Sequence, residues 1–529
     1  MTLTETRPPE TPDDLAPPPV ERGIAAVVAT GEHKRLGLLF ALGGLVALVA
    51  ACAAAALFHL PAFGDSADAF TRPGSRLASA STIFAFVIGI PALWIGLATY
   101  VTPLQIGGHR LAMPRLHSFA LWLFLGGSIL AGLSYVIDDT RLNSLASSVP
   151  PAAAAGERAA DAVLLLIAGL VIVAVGTLLA AANLLVTVLN RRADGLRLVH
   201  MPAFSWSTAA TSLVLVLSTP VFLAGLVLLY LDQRYGSAIF ASGIGARRIW
   251  EHELWLLGRP EAFVFFGATI GIYCDIVATV LRRPLAFHAV SRAAAAATPL
   301  FSLVAWVGAT SLLDSPFPPF GTGLAVLVAI PAALAVLTFL ASVRGAKARL
   351  IGGAVPFLAH FLIDGLLIAV LVVAAVSEIE GAETGLYRNG NVTLFMLGQT
   401  VLGLAAGYLY WGPKLRGRVP SLGMGAATGG LLLVGAVLFA APSYLMGLEA
   451  DNGIAILGAV GAAIFALGVL TLLPLVVGPA GDAPSDPYEG LTLEWSAASP
   501  PVRHNFDEVP DVRSPYPLYD TRSTTEASA

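Results

Sequence analysis

A series of long apolar runs dominates this 529-residue chain. Each run holds roughly 18 to 25 residues, enough for a helix to cross a hydrocarbon core of about 30 Å. Hydrophobic residues make up 56% of the chain and charged residues only 12%, unlike a typical soluble protein. The runs lie at 36–58, 78–102, 117–137, 162–189, 207–231, 254–281, 297–313, 321–343, 350–377, 391–411, 424–447 and 453–478. We therefore expect an all-α integral membrane protein, a bundle of twelve transmembrane helices.

The charges between the runs predict the orientation in the membrane. Basic residues cluster on every second connection, for example at Arg191 and Arg192 and again at Arg282 and Arg283. The alternate connections carry acidic residues such as Asp314. Basic loops stay on the cytoplasmic side, so an even number of spans puts both termini in the cytoplasm of a plasma-membrane protein. The net charge of −4 and the lack of a long basic run give no indication of nucleic-acid binding.

Both ends of the chain are polar. Residues 1–30 are rich in Pro, Glu, Asp and Thr and have no apolar signal-peptide core, which predicts a disordered cytoplasmic arm. The transmembrane domain is expected at 31–478, and residues 479–529 are expected to form a Pro-rich cytoplasmic tail. Cys52 and Cys274 both lie within predicted spans, so a disulfide framework is not expected.

Five short blocks carry a resemblance to a known family. They are TGEHKRLG at 30–37, YVTPLQIG at 100–107, a loop containing LNRRADG within 183–206, YLYWGPK at 408–414 and LEWSAASPPVRHNF at 493–506. In this order they resemble subunit I of cytochrome c oxidase, the main subunit of the haem-copper oxidase family. The resemblance implies a twelve-helix fold of the subunit I type. It also implies haem and copper cofactors and partner membrane subunits, among them a subunit II-like chain.

The family's cofactors require six histidines. Two are axial ligands of a low-spin haem, one binds a high-spin haem and three bind copper, because neutral imidazole offers a nitrogen lone pair to both metals. In the stretch WEHELWLLGRPEAF at 250–263, the copper histidine that precedes Pro-Glu is replaced by Arg259, which has no lone pair to donate. Counting from the other blocks puts the remaining ligand positions at Ala80 (or Ser81), Asn391, Thr393, Gly308 and Ala309. None of these residues is histidine, so no haem or copper is expected.

The proton-handling positions also differ from the family pattern. The crosslinked tyrosine is replaced by Phe263, and the carboxylate at the mouth of one proton path is replaced by Arg110. The lysine of a second path falls near Ala335. Glu261 is retained, and an intramembrane carboxylate is a candidate proton relay. The favoured interpretation, however, is that Arg259 and Glu261 only mark a solvated helix end.

His360 and Asp364 lie four residues apart on the ninth predicted span and therefore on one helix face. A carboxylate in this position can orient an imidazole for metal or proton chemistry. Two ligands do not form a metal site, and a hydrogen-bonded pair that joins helices is the commoner outcome.

Three functional hypotheses follow from these observations. The favoured one is a subunit I-like protein that has lost its ligands and serves as a structural, assembly or regulatory subunit of a respiratory membrane complex. The second is an active terminal oxidase that passes electrons from cytochrome c to dioxygen through relocated ligands. The third is a proton or solute pathway that uses Glu261, Asp364 or Asp275.

Overall fold

The structure is a computed structural model that describes residues 30–60, 76–136, 161–237, 239, 259–312, 318–363, 366, 393–445, 452–510 and 512–528. Helices account for the regular secondary structure throughout these ranges, and they contain no β-strand. The predicted all-α class is therefore confirmed. Nearly all of the predicted arm, residues 1–29, lies outside the described residues.

Most apolar runs form helices close to their predicted bounds. We label them α1 His33–Phe58, α2 Leu77–Gln105, α3 Pro114–Ser134, α4 Asp161–Asn190, α5 Ala203–Tyr235, α6 Arg259–Leu281, α7 His288–Leu312, α8 Pro318–Val343, α9 Ala354–Ile363, α10 Leu394–Tyr410, α11 Leu422–Leu445 and α12 Asn452–Leu470. Within the described ranges, eight helices are long and apolar enough to cross a membrane: α1 to α6, α11 and α12. For α7 to α10, these ranges do not establish a span.

Helix α7 begins at His288, well before the predicted start at residue 297. Its first turns contain Arg292 and a run of alanines. The predicted span was chosen by hydropathy and therefore began after Arg292. Alanine is the strongest helix former, so the helix itself extends beyond the apolar segment. The Arg292 guanidinium donates to the backbone carbonyls of Val199 and Met201 and so attaches this end of α7 to the loop before α5.

Small residues bring the helices close together. A Cβ atom on Gly37 of α1 would lie 2.7 Å from the carbonyl oxygen of Gly96 in α2, and one on Gly96 would lie 2.7 Å from that of Gly37. Gly127 of α3 and Gly169 of α4 approach each other in the same way. Close backbone approach at small residues is the usual packing mode of helices in lipid, where no hydrophobic effect drives them together.

Two helices contain a π-helical segment. In α2 it is Ile83–Gly89, and in α10 it is Leu394–Thr400. In both helices, regular α-helix follows the segment. Segments of this kind are uncommon and occur preferentially at functional sites in protein families.

The last part of the chain packs against one end of the bundle, which we call the tail face. It contains a short 3-10 helix, Leu493–Ser496, and a final helix, Pro517–Ser528, which we label α13. Lys34 at the start of α1 donates to the carbonyl oxygen of Val502 at 2.8 Å and to Asn505 Oδ1 at 3.0 Å. Asn505 in turn donates to the carbonyl of Gly108 at 2.7 Å. The tail thus joins the start of α1 to the loop after α2.

Candidate functional site: the ligand end and the tail face

The positions at which the resemblance puts the low-spin haem ligands lie beside the two π-helical segments. Ala80 is 7% exposed and sits three residues before the segment in α2. Thr393 directly precedes the segment in α10. Asn391 lies outside the described residues. We call the end of the bundle that holds Ala80, Thr393 and the first residue of α6 the ligand end.

The copper positions are described only as backbone. Helix α6 begins at Arg259, and it carries Glu261 and Phe263 in its first turns. Gly308 and Ala309 lie in the last turns of α7. The side chains of these five residues lie outside the described residues, as do residues 251–258. The expectations for Arg259, Gly308 and Ala309, and the relay role of Glu261, therefore stay predictions.

Aromatic and aliphatic side chains pack the interior between α2, α6 and α10. Trp94 of α2 is fully buried, and its ring centroid lies 5.6 Å from that of Phe265 in α6. A Cβ atom on Gly407 of α10 would lie 2.8 Å from Leu97 and 3.1 Å from Ile272. The three helices therefore make direct contact at this depth.

His360 is buried, and its hydrogen-bond partner comes from another helix. Its Nδ1 lies 2.9 Å from the hydroxyl of Tyr273 in α6, and its ring stacks on Phe266 with a centroid distance of 5.7 Å. Asp364 lies outside the described residues, so the predicted pair with His360 stays a prediction. The Tyr273 contact was not predicted, because the two residues are 87 positions apart and no local pattern links them.

The described residues at the expected ligand positions do not fit a haem iron. Ala80 offers a methyl group and Thr393 a hydroxyl, whereas haem iron takes imidazole, thiolate, thioether or phenolate ligands. Other buried imidazoles make hydrogen bonds to neighbouring side chains: His117 Nε2 lies 2.8 Å from Thr99 Oγ1, and His33 Nε2 lies 3.1 Å from Asn505 Nδ2. Within the part of the chain that the structure describes, no three His, Cys, Asp or Glu side chains form a group that could hold a metal ion.

The structure also describes the two positions outside α6 that the resemblance assigns to the family's proton paths. Arg110 is exposed in the loop after α2, and Ala335 is buried in α8 with 2% exposure. A methyl side chain at Ala335 cannot carry a proton. The assignment of Arg110 and Ala335 to the family's proton paths stays a prediction.

The tail face holds a buried polar network instead. Gln105 at the end of α2 donates through Nε2 to Asp275 Oδ2 at 2.7 Å and to Glu494 Oε1 at 3.2 Å. Its carbonyl oxygen accepts a hydrogen bond from Ser205 at 2.8 Å. The backbone amides of Ala203 and Phe204, at the start of α5, also donate to Asp275. One amide side chain thus connects α2, α5, α6 and the tail.

Glu494 is fully buried at the centre of this network. Its Oε1 also accepts hydrogen bonds from Trp411 Nε1 at 3.0 Å and from Thr492 Oγ1 at 2.8 Å. Its Oε2 is buried and has no hydrogen-bond partner among the described residues. Burial raises the pKa of Glu494 above its ordinary value, because removal from water penalises the charged form.

Lys414 anchors the tail beside Glu494. It is fully buried and donates to the carbonyls of Ser485 at 2.7 Å and Ala497 at 2.6 Å, while its ammonium lies 5.2 Å from the centre of the Trp495 ring. Burial lowers the pKa of Lys414 to about 8. The blocks YVTPLQIG, YLYWGPK and LEWSAASPPVRHNF supply Gln105, Lys414 and Glu494, so the blocks that revealed the resemblance meet here in space.

Comparison with known proteins identifies the family of this chain. The family described as "Cytochrome C and Quinol oxidase polypeptide I" matches residues 35–451, most of the chain. The chain belongs to this family. A heme-copper oxidase subunit I+III of Aeropyrum pernix is 28% identical over 92% of this chain, and this chain spans 62% of that relative. Cytochrome c oxidase subunit 1 of Bacillus subtilis is 27% identical over 93% of this chain and 82% of its own length.

A solved structure supports the fold. A heme-copper terminal oxidase dimer, determined by cryo-electron microscopy, superposes with a TM-score of 0.63 at 15% identity and covers 93% of this chain and 89% of its own. At this identity the likeness concerns the fold alone. Fold and family membership are thus established.

Proposed function

We propose that this chain is a non-catalytic member of the subunit I family, a twelve-helix scaffold that binds neither haem nor copper. It would act as a structural, assembly or regulatory subunit of a respiratory membrane complex. Both of its termini would lie in the cytoplasm, and its partners would be other membrane subunits, among them a subunit II-like chain.

The residue that carries the proposal is Ala80. A low-spin haem needs a ligand from the second helix, and a buried methyl group there gives the iron nothing to bind. Thr393 extends the argument to the tenth helix, and the sequence puts Asn391 at the other ligand position of that helix. Arg259, Gly308 and Ala309 at the copper positions would leave the second metal without imidazole as well.

Spectroscopy and metal analysis of the purified protein test the proposal. The protein should be expressed with haem and copper supplied, in parallel with an active subunit I such as that of Bacillus subtilis as a positive control. We expect no Soret band and no stoichiometric iron or copper. A Soret band with stoichiometric copper, together with cyanide-sensitive oxygen uptake from reduced cytochrome c, would instead support an active oxidase with relocated ligands.

A further inference from the structure

Two carboxyl groups from distant parts of the chain meet in one buried pocket at the tail face. Asp275 belongs to α6, and Glu494 belongs to the tail. Both contact the same nitrogen of Gln105, so their nearest oxygens lie within about 6 Å of each other, a range at which like charges interact strongly. Asp275 is 3% exposed and Glu494 is fully buried.

We propose that Asp275 and Glu494 form a single buried proton-binding site that holds one proton between the two carboxyls and couples docking of the tail to pH. The site is separate from the family's haem and copper positions, because α2 alone puts roughly 37 Å of helix between Ala80 and Gln105. The inference is therefore independent of the proposed loss of cofactors.

The orientation of Gln105 leaves the negative charges of the two carboxylates without a neutralising positive charge. Its carbonyl oxygen is occupied by the Ser205 hydroxyl, so both amide hydrogens point to the carboxyls. A neutral amide stabilises each carboxylate by a hydrogen bond but supplies no net positive charge. Two negative charges would then face each other in a buried site, and binding one proton removes that repulsion.

Each carboxyl accepts hydrogen bonds from three donors, but those of Glu494 all go to one of its two oxygens. Asp275 accepts from Gln105 and from the backbone amides of Ala203 and Phe204, a set that suits an ionised carboxylate. Glu494 concentrates its hydrogen bonds on Oε1, while its buried Oε2 lacks a partner among the described residues. A charged oxygen without a donor is more costly to bury than a neutral hydroxyl, so the pair is best satisfied with one proton.

Neighbouring titratable groups leave this charge balance in place. Lys414 attracts Glu494 electrostatically, but its hydrogen bonds go to Ser485 and Ala497. The Tyr410 hydroxyl, which faces both carboxyls, pairs with Thr279 and accepts from the Trp495 indole. Tyr516 and Cys274 face Asp275, and neither supplies a positive charge.

A shared proton makes tail docking depend on pH. In an undocked tail, Glu494 would be in water with its ordinary pKa of 4.5, whereas docking raises that pKa. Docking therefore takes up a proton. The stability of the docked tail is greatest at low pH, falls as the pH rises from 4.5 towards the raised pKa of Glu494, and is constant above that pKa.

Infrared spectroscopy of the full-length protein in nanodiscs tests the site directly. A pH titration should follow the C=O stretch of protonated carboxyls in the wild type, in Asp275→Asn and in Glu494→Gln. We expect the wild type to show, at neutral pH, a protonated-carboxyl band that arises from this pair and that both variants alter. In each variant its apparent pKa should fall by at least about one unit, a roughly tenfold loss of proton affinity, because the remaining carboxyl loses its charged neighbour.

Glu489→Gln is the matched control. Glu489 lies in the same tail but is half exposed and pairs with Arg282 and Arg349, so this variant should titrate like the wild type. Limited proteolysis within 479–528 provides a second readout: cleavage of the wild type should quicken as the pH rises, and cleavage of Glu494→Gln should be independent of pH. The proposal is overturned if the titration is the same in the wild type and in Asp275→Asn, a variant that leaves the tail sequence intact.

Discussion

The tail face and the ligand end of this molecule differ in how their polar residues are used. At the tail face, Gln105, Lys414, Glu494 and Asn505 are fully buried and hydrogen-bonded across the chain. At the ligand end, Ala80 has no polar group, and Thr393 precedes a π-helical segment. The residues that hold the helices and the tail together match the family blocks, whereas the residues counted to the ligand positions do not.

The contrast separates two roles that an active subunit I combines. Tail-face residues stabilise the fold, and their loss would leave buried polar groups without partners. Under the proposed loss of cofactors, the ligand-end residues would no longer be constrained by haem or copper. If the account is right, substitutions at the two ends should differ strongly in their effect on stability.

The largest effect is expected for Lys414→Met. The variant leaves the carbonyls of Ser485 and Ala497 without their donor. Each acceptor that loses its donor costs about 1–3 kcal/mol, so the loss of two together is expected to cost about 2–6 kcal/mol. Thermal unfolding in detergent measures it, with the exposed Lys347→Met as control. Equal melting temperatures for the two variants would contradict the structural role of Lys414.

A smaller loss is expected where α1 crosses α2. In Gly96→Ala, the new methyl group would lie 2.7 Å from the carbonyl oxygen of Gly37, so the helices must separate. Overpacking of this kind costs about 1–3 kcal/mol. Gly126→Ala in α3 is the control, because a Cβ atom there meets nothing within 4 Å. A Gly96→Ala protein as stable as the control would show that α1 and α2 do not approach each other this closely.

Asn505→Ala should release the tail with a loss of about 1–3 kcal/mol, because it leaves Lys34 and the carbonyl of Gly108 with fewer partners. We expect faster proteolysis within 479–528 than in the wild type. Ala substitution of the neighbouring exposed His504 should leave the cleavage rate unchanged. Cleavage at the wild-type rate in Asn505→Ala would mean that other contacts hold the tail.

The smallest effect is expected at the ligand end. Thr393 is partly exposed, so Thr393→Val should change the stability by less than about 0.5 kcal/mol. The same thermal measurement applies, with Asn505→Ala as the reference for a tail-face residue. A loss at Thr393 as large as that at Asn505 would remove the difference between the two ends.

The long apolar runs predicted most of the described helices well, because a helix in lipid needs a long apolar segment whatever its partners. The predicted span 162–189 differs from α4, Asp161–Asn190, by one residue at each end. Contacts of the tail could not be predicted in this way. The bond from Lys34 to Asn505 joins residues 471 positions apart, and no local pattern encodes it.

The family resemblance supplied information on individual residues that the apolar runs could not. It identified Gln105, Lys414 and Glu494 as members of recognisable blocks, although not as neighbours in space. It also gave the ligand positions, for which the residue types alone carry no signal: an alanine in an apolar helix is unremarkable until a histidine is expected there. The partner of His360 and the pairing of Asp275 with Glu494 required the structure.

The optical spectrum of the purified protein, with iron and copper analysis, tests the central claim most directly. The account predicts a colourless protein with no Soret band and no bound iron or copper, even when haem and copper are supplied during expression. A protein that carries haem and copper in stoichiometric amounts would contradict it. The haem ligands would then have to be residues other than Ala80 and Thr393, whose side chains cannot bind the iron.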